Sequence, residues 1–247
     1  MTPPLLTPIT RRQTIATAVY QQLRSALMEG IFEAGSSFAI SDLAARFGTS
    51  NTPVREALRR LTDEGALVEG KWNSATLPPL SARSYGELCL ARRVIEGGAT
   101  ELACDRLDAD GLEELHAISE SHQQALVEGR VEDMVAGNKA FHFRIYRATG
   151  SGILMEQIEN LWLRSGPYTR FLGEKMREML KADMTLSYAR THDRILEALT
   201  AKDALAAREA MMDDIRAVER WMSQVLDASS PSPHAGAMPA SRSRGVS

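Results

Sequence analysis

The sequence predicts a mainly α protein of two domains, a small helix-plus-hairpin module followed by an all-α bundle. Three observations indicate this fold class. Two short helical patterns and two extended runs precede residue 78, helical period alone continues from residue 81, and Pro78 and Pro79 separate the two regions. A chain of 247 residues also exceeds a single domain of about 100–150 residues.

The first helical pattern lies between Thr14 and Gly30, where apolar residues recur at steps of three and four. A second, SDLAARFG, has Ser41 as its predicted N-cap and ends at Gly48. The preceding residues 1–10 have no period and are predicted to be a flexible tail.

The stretch TSNTPVREALRRL predicts a third helix. Ser50 is its expected N-cap, which places Pro53 in the first turn, where a missing N–H costs no intrahelical bond. Val54, Leu58 and Leu61 then form one apolar face.

Beyond Gly65, the runs ALVEG and ATLP flank KWNS and predict a small hairpin. The predicted domains are a first module over residues 11–77, a linker over 78–81 and a helical domain over 82–226, with a disordered tail over 227–247. The helices of the second domain are predicted at roughly 82–105, 109–128, 131–148, 152–180, 183–200 and 203–226.

Composition narrows the class of protein. The chain is 44% hydrophobic and 25% charged, as in ordinary globular proteins. It has no run near the roughly 20 apolar residues that cross a bilayer, and its N-terminus lacks the order of a signal peptide. We therefore expect a cytoplasmic protein without membrane contact.

Cys89 and Cys104 lie on one predicted helix, about 22 Å apart at 1.5 Å per residue. This distance is too large for a disulfide bond, so we expect both cysteines to be buried packing residues.

Two short helices joined by a glycine-containing turn have the form of a helix-turn-helix, which places its second helix in the major groove of DNA. Ser50, Asn51 and Thr52 lie at the start of that helix, and Arg55 and Arg59 continue the outward stripe. Polar residues there would face bases and arginines would neutralise phosphates. The net charge of −3 does not indicate a DNA-binding protein. A purely solvated helix face is the alternative, and the role of Arg60 stays open.

The run ISDLAARFGTSNTPVREALRRLTDEGALVEG resembles the winged helix-turn-helix of the GntR family of bacterial transcription regulators. The resemblance implies that residues 51–61 form the recognition helix, that Thr52 and Arg55 contact DNA, and that the hairpin around residues 71–74 is the wing, with Lys71 and Asn73 near DNA. Asn51 replaces the arginine usual in the family. This departure predicts a shifted operator sequence.

Asn138 and His142 lie four residues apart on one predicted helix, with His192 and Asp214 on later helices, and metal sites in bundles use such facing positions. Residues 81–226 resemble the FCD effector domain of the FadR-like branch of the family, through ARRVIEGGATELA, NKAFHFRIYRATGS, THDRILEAL and AREAMMDDI. The resemblance implies a divalent metal held by these four residues. Asn138 stands where an aspartate is usual, and Asp214 where a histidine is usual.

The two histidines and the aspartate of this set suit zinc, nickel, manganese or iron. Considered alone, His142 is also compatible with a hydrogen-bonded core histidine. His116 and His122 match no ligand position and are predicted to lie on the surface.

Arg92 and Glu96 match an arginine and a glutamate near the start of the FCD domain. One interpretation is an i,i+4 ion pair on the helix surface. The other is that Arg92 turns into a pocket and binds the carboxylate of an effector. Tyr146 is the next effector-binding candidate, and Arg144, Trp162 and Arg164 are further ones.

We therefore expect a ligand-responsive transcription repressor that binds a palindromic operator as a homodimer and senses a small organic acid. It would not be an enzyme. The alternative is a metal-dependent enzyme that uses His142, His192 and Asp214, but no additional carboxylate stands at a general-base spacing beside them.

Overall fold

The computed structural model describes residues 14–71, 74–181 and 191–229. Nine helices and three short strands lie within these ranges. In chain order they are α1 (Ile15–Met28), β1 (Ser37–Ala39), α2 (Ile40–Phe47), α3 (Asn51–Asp63), β2 (Val68–Glu69), β3 (Ser74–Thr76), α4 (Ala82–Cys104), α5 (Ala109–Val127), α6 (Val131–Ala148), α7 (Gly152–Lys181), α8 (Thr191–Thr200) and α9 (Ala204–Ser229). The predicted mainly α fold is confirmed.

Helices α1, α2 and α3 form the first module. The hydroxyl of Thr14 caps α1 by accepting from the Thr17 N–H, and Gly30 ends that helix with a φ of 68°. Gly48, with a φ of 61°, makes the left-handed turn between α2 and α3. The apolar faces of the three helices are buried in one core.

Ser41 does not cap α2, so that prediction is wrong. The helix begins at Ile40, and Ala39, in extended conformation, occupies the N-cap position. Strand β1 runs directly into α2, so strand pairing rather than a side-chain cap sets the start of the helix. Ser50 does occupy the N-cap position of α3, although its side chain forms no capping hydrogen bond.

The predicted hairpin is part of a three-stranded antiparallel sheet with strand order β1-β3-β2. Strand β3 pairs with β2 through Val68 and Thr76 and with β1 through Phe38 and Ala75. Strand β1 was not predicted from the sequence. The hairpin tip at residues 72 and 73, with the predicted DNA contact Asn73, lies outside the described residues.

Helices α4 to α9 form the second domain, in which α4 packs along α9 and α7. Cys89 and Cys104 of α4 are free and buried, as predicted. None of the helices in the described ranges is long and apolar enough to cross a membrane. Helix α9 extends to Ser229, beyond the predicted end at residue 226, whereas residues 1–10 and 230–247 of the predicted tails lie outside the described residues.

Helix α7 joins the two domains by packing against α1. A Cβ at Gly166 would lie 1.9 Å from the backbone oxygen of Leu27, so the two helices touch backbone to backbone there. Arg24 of α1 pairs with Glu159 at 3.1 Å. Arg170 donates to the backbone oxygen of Ile31 at 3.1 Å. The small module therefore sits on the same helix that lines the interior of the bundle.

Candidate functional site

Helix α3 exposes the residues that the sequence placed at DNA. Its buried side packs Val54, Ala57, Leu58 and Leu61 into the module core. The side chains of Asn51, Thr52, Arg55 and Arg59 are exposed on the other side, next to exposed Ser50. A helix that is buried on one side and exposed on the other can enter the major groove of DNA while its buried side stays packed in the core of the module.

The cations around α3 differ in how free they are to bind phosphate. Arg55 forms no ion pair with any residue that the structure describes. Arg59 lies 3.5 Å from Asp63, a loose pair between side chains that are both more than 60% exposed. Arg60, whose role the sequence left open, stacks on the ring of Tyr20 at 3.7 Å and belongs to the module's packing.

Arg46 is an exposed cation that the sequence did not single out. It lies in the last turn of α2, the helix that crosses the DNA backbone in a helix-turn-helix. Its position two residues before Gly48, in the last turn of the predicted helix, was the signal that could have identified it. Lys71, at the base of the hairpin, is likewise exposed.

The four predicted metal ligands meet inside the bundle. Helix α6 supplies Asn138 and His142, α8 supplies His192 and α9 supplies Asp214. One ligand atom from each of His142, His192 and Asp214 lies within 4.8 Å of the other two, and all three residues are buried. His192 Nε2 lies 3.1 Å from Asn138 Oδ1.

His192 is held as a neutral ring. Burial lowers its pKa to about 3, and nearby Asp214 only partly offsets this effect. Its ring stacks on Phe141 with centroids 4.1 Å apart. Its Nδ1 has no hydrogen-bond partner among the residues that the structure describes. A neutral imidazole is the form that binds metal ions.

A chain of hydrogen bonds fixes the tautomer of His142. The Tyr146 hydroxyl donates to Glu96 Oε2 at 2.5 Å, a much stronger acceptor than the Met211 sulfur at 3.4 Å. The same hydroxyl therefore accepts from His142 Nδ1 at 3.0 Å. With the proton on Nδ1, a neutral ring directs its Nε2 lone pair at Asp214 Oδ2, 3.3 Å away. Two lone pairs repel, and a metal cation bound between them would turn this contact into an attractive one.

Arg92 and Glu96 form a buried pair, which rules out the surface ion pair. Arg92 Nε donates to Glu96 Oε1 at 2.6 Å and Nη2 donates to Oε2 at 3.1 Å. The side chain of Glu96 is fully buried. Burial by itself would lower the pKa of Arg92, but the Glu96 carboxylate overrides it and the pKa is raised. The guanidinium stacks on Trp162 at 4.6 Å and remains charged.

His122 is buried, so its predicted surface position is wrong. Its Nδ1 lies 2.9 Å from the backbone oxygen of Met134, and its ring contacts that of His192. Leu115, Ser119 and His122 recur at steps of four and three on the buried side of α5, and this period was the signal in the sequence. Burial lowers the pKa of His122. His116, by contrast, is exposed as predicted.

A cavity of about 760 Å³ opens beside this cluster. Arg92, Asn138, His142 and Asp214 reach it from α4, α6 and α9. From α7 it is lined by Trp162, Ser165, Tyr168 and Thr169, and from the end of α1 by Met28, Glu29 and Gly30. The volume suits a small organic ligand.

The remaining effector candidates are divided between the cavity and the surface. Trp162 lines the cavity, and its buried Nε1 has no acceptor among the described residues. Tyr146 is buried behind the cavity, where it orients His142. Arg144 pairs with Glu114 and Arg164 lies 3.5 Å from the Cβ position of Gly65, so neither reaches the cavity.

A helix-turn-helix module with an exposed helix α3, attached through α1 and α7 to a helical domain with a cavity, has the architecture of a two-domain DNA-binding transcription regulator. Residues 15–73 match the model for bacterial regulatory proteins of the gntR family, and residues 87–217 match the FCD domain. The chain belongs to the GntR family and carries an FCD effector domain.

Relatives agree with this assignment. The HTH-type transcriptional regulator McbR of Escherichia coli K12 is 32% identical over 200 residues, covering 81% of this chain and 89% of McbR. The Exu regulon transcriptional regulator of the same organism is 29% identical over 214 residues, covering 78% of this chain and 80% of the regulator. The solved structure of E. coli McbR/YncC superposes with a TM-score of 0.76 at 29% identity, over 87% of this chain and 100% of that one. These relatives are regulators, and the chain is a transcription regulator, not an enzyme.

Proposed function

We propose that this protein is a repressor that binds a palindromic operator as a homodimer and responds to a small carboxylate held in the bundle cavity. The observation that carries the proposal is the double role of α7. Trp162, Tyr168 and Thr169 of this helix line the cavity, while Gly166 and Arg170 hold α1 and the loop after it. A ligand that shifts α7 would therefore shift the DNA-binding module.

The linker between the domains is tied to the same helix. The Tyr168 hydroxyl accepts from the Ser81 N–H and donates to the Ser81 oxygen, both at 3.3 Å. Tyr168 also contacts the cavity-lining Tyr85, with ring centroids 4.5 Å apart. A ligand changes the relative placement of the two modules to the extent that it binds one arrangement better than the other. Because Tyr168 contacts both the cavity-lining Tyr85 and the linker residue Ser81, a ligand that moves Tyr168 would also move the linker.

The cavity chemistry favours an anionic ligand. A guanidinium has five N–H groups, of which Arg92 uses those on Nε and Nη2 for Glu96, so further donors remain at the cavity. The indole N–H of Trp162 and the partly buried ammonium of Lys139 line the same cavity. Burial lowers the pKa of Lys139. A carboxylate would accept from these donors and offset the burial of the ammonium.

A divalent metal fits the cluster of His142, His192 and Asp214. His142 Nε2 and Asp214 Oδ2 lie 3.3 Å apart, and a cation bound between them would be attracted by both atoms. Tyr146 and Glu96 would orient His142 from behind, as supporting hydrogen bonds do at metal sites. A bound metal would supply a Lewis-acidic contact for the oxygen atoms of the effector.

Binding of the operator is proposed to use Ser50, Asn51, Thr52, Arg55 and Arg59 of the recognition helix, with Lys71 and Asn73 from the wing. Arg55 is the strongest candidate for a base contact because no described carboxylate competes for it. Two half-sites one helical turn apart require two recognition helices, which is the reason for a homodimer. A dimer seated on an operator blocks access to the DNA beneath it, which is the basis for proposing repression.

Replacing Arg55 tests the DNA-binding part of this proposal. DNA fragments selected from a random duplex library by the wild-type protein serve as the probe, in fluorescence anisotropy at several salt concentrations. Arg55→Ala should lose about 1–3 kcal/mol of binding free energy if it contacts a base, and a phosphate contact would instead lower the salt slope by about one. Arg130→Ala removes the same charge from an exposed position between α5 and α6 and should bind like the wild type. Equal binding by Arg55→Ala and Arg130→Ala would contradict the proposed interface.

A further inference from the structure

Five of the described residues that line the cavity are lysine or arginine, and they differ in whether a carboxylate pairs with them. The paired ones are Arg92 with Glu96, Arg170 with Glu174 and Arg177 with Glu132. Lys139 and Arg147 form no ion pair with any residue that the structure describes. The described part of the chain therefore leaves two positive charges of the cavity wall without a counter-ion.

Lys139 and Arg147 lie two turns apart on helix α6, with Phe143 between them. Steps of four residues place the three side chains on the same helix face. The Lys139 ammonium lies 5.9 Å from the centroid of the Phe143 ring, and the guanidinium carbon of Arg147 lies 5.6 Å from it. Contacts close to the roughly 6 Å limit of a cation–π attraction stabilise each charge only weakly. Lys139 is thus grouped with Arg147 around one ring, whereas Arg92 stacks on Trp162.

The carboxylates near Lys139 already have other partners. Glu29 and Glu159 attract its ammonium electrostatically, but neither forms an ion pair with it. Glu159 pairs with an arginine of α1 at 3.1 Å, and Glu29 accepts from a serine hydroxyl of α1 at 2.8 Å. Lys139 is partly buried, and Arg147 adds a second positive charge beside it. An anion from outside the chain would therefore be attracted to this part of the cavity.

Two aromatic rings connect this pair of cations with Arg92. The Arg92 guanidinium stacks on Trp162 at 4.6 Å, and Phe143 packs edge to face against Trp162 with ring centroids 5.1 Å apart. Both rings line the cavity. The wall therefore presents cations at both ends and aromatic surface between them, and such surface favours contact with an apolar or flat group.

The size of the cavity leaves room for a ligand that spans this wall. Its volume of about 760 Å³ corresponds to roughly 25 water molecules at about 30 Å³ each. A single carboxylate bound at Arg92 would fill only a small part of this space. Pockets of this size bury organic ligands of many atoms.

We propose that the effector is an organic diacid. Its first acid group binds at Arg92, its body lies along Trp162 and Phe143, and its second acid group, a carboxylate or a phosphate, binds Lys139 and Arg147. This inference rests on the proposed function and narrows the small carboxylate named there to a molecule with two anionic groups. Arg147 is exposed, so water and salt weaken the attraction at that end of the cavity. The second acid group therefore contributes selectivity more than affinity.

Isothermal titration calorimetry of the full-length chain measures this selectivity. The probes are straight-chain dicarboxylates of four to ten carbon atoms, each compared with its own monomethyl ester, which has one charge fewer. At the best length the dicarboxylate should bind at least about tenfold more tightly than its ester, the difference expected for one charge-assisted hydrogen bond. This difference should shrink as the salt concentration rises. An ω-phosphono acid of the best length would bind more tightly still if the second group is a phosphate.

Arg147→Gln and Lys139→Gln decide whether the preference arises at the proposed residues. Each should weaken binding of the dicarboxylate far more than binding of its ester, so that the ratio of the two affinities falls toward one. Arg130→Gln removes an exposed charge away from the cavity and should keep the wild-type ratio. Thermal melting shows whether each variant is folded.

Two results would overturn the inference and leave the proposed function intact. One is an ester that binds as tightly as its dicarboxylate at every length, and the other is a preference for the dicarboxylate that survives in both variants. Binding of neither series would also overturn the inference, and anisotropy with the selected DNA would then decide separately whether operator binding survives.

Discussion

Gly166→Ala should separate the DNA-binding module from the bundle. The added Cβ would lie 1.9 Å from the Leu27 oxygen and 2.8 Å from its carbonyl carbon, distances that no pair of non-bonded atoms tolerates. Both neighbours are backbone atoms inside a helix, so a side-chain rotation cannot relieve the clash. The α1 helix must therefore move away from α7, together with the ion pair between Arg24 and Glu159.

The expected cost follows from this geometry. Overpacking in a well-packed contact costs about 1–3 kcal/mol, and a rigid backbone neighbour places Gly166→Ala at the upper end of that range. For a chain of this size each kcal/mol corresponds to about 2–4 °C, so the melting temperature should fall by about 6–12 °C. Gly152→Ala is the matched control, because Gly152 also lies in α7 and its Cβ would meet nothing within 4 Å. This control should be neutral or slightly stabilising.

Differential scanning calorimetry measures both effects. The wild type and Gly152→Ala should unfold with the two domains coupled, whereas Gly166→Ala should show a separate, lower transition for the small module. Limited proteolysis should also cleave Gly166→Ala faster at the linker of residues 78–81. If Gly166→Ala melted like Gly152→Ala in one transition, the close contact between α1 and α7 would not exist and the route from cavity to DNA would lose its basis.

Two further predictions concern pH and metal. Burial and the hydrogen bond to Glu64 raise the pKa of Tyr20 to about 12 from an ordinary value near 10, so its stabilisation is complete below pH 10 and lost as pH rises toward 12. Urea unfolding at pH 9, 10 and 11 should therefore show a shallower alkaline loss for Tyr20→Phe, and identical slopes would refute the assignment. After equal loading and dialysis, elemental analysis should find less zinc, nickel or manganese in His192→Ala than in the wild type. The control His116→Ala, which changes an exposed residue of α5, should retain as much metal as the wild type. Equal metal content in all three proteins would exclude the proposed ligand set.

Long helices with a clear apolar period could be predicted from the sequence. Helix α3 is an example, because Ser50, Pro53 and the spacing of Val54, Leu58 and Leu61 all indicate the same start and the same buried side. The local rules of capping, proline placement and period agree in such segments, and tertiary contacts then have little to override.

The missed features depend on contacts between distant parts of the chain. Strand β1 consists of three residues that become a strand through pairing with β3, more than thirty residues later, and the same pairing displaced the start of α2 from the predicted cap at Ser41. The burial of His122 was visible in the period of α5, but polar residues are more often exposed. The sequence placed Arg92 and Glu96 one turn apart; their bidentate pairing inside the bundle depends on Tyr146 and Trp162 from other helices.

Selection of DNA from a random duplex library tests the central claim most directly. The wild-type chain should enrich a palindromic sequence whose half-sites lie about 10–10.5 base pairs apart, centre to centre, or a multiple of that distance. Arg55→Ala should enrich a different half-site sequence or none, while Arg130→Ala should enrich the wild-type one. If the wild type enriched no sequence, or if Arg55→Ala enriched the same palindrome with equal affinity, α3 would not be the helix that reads DNA.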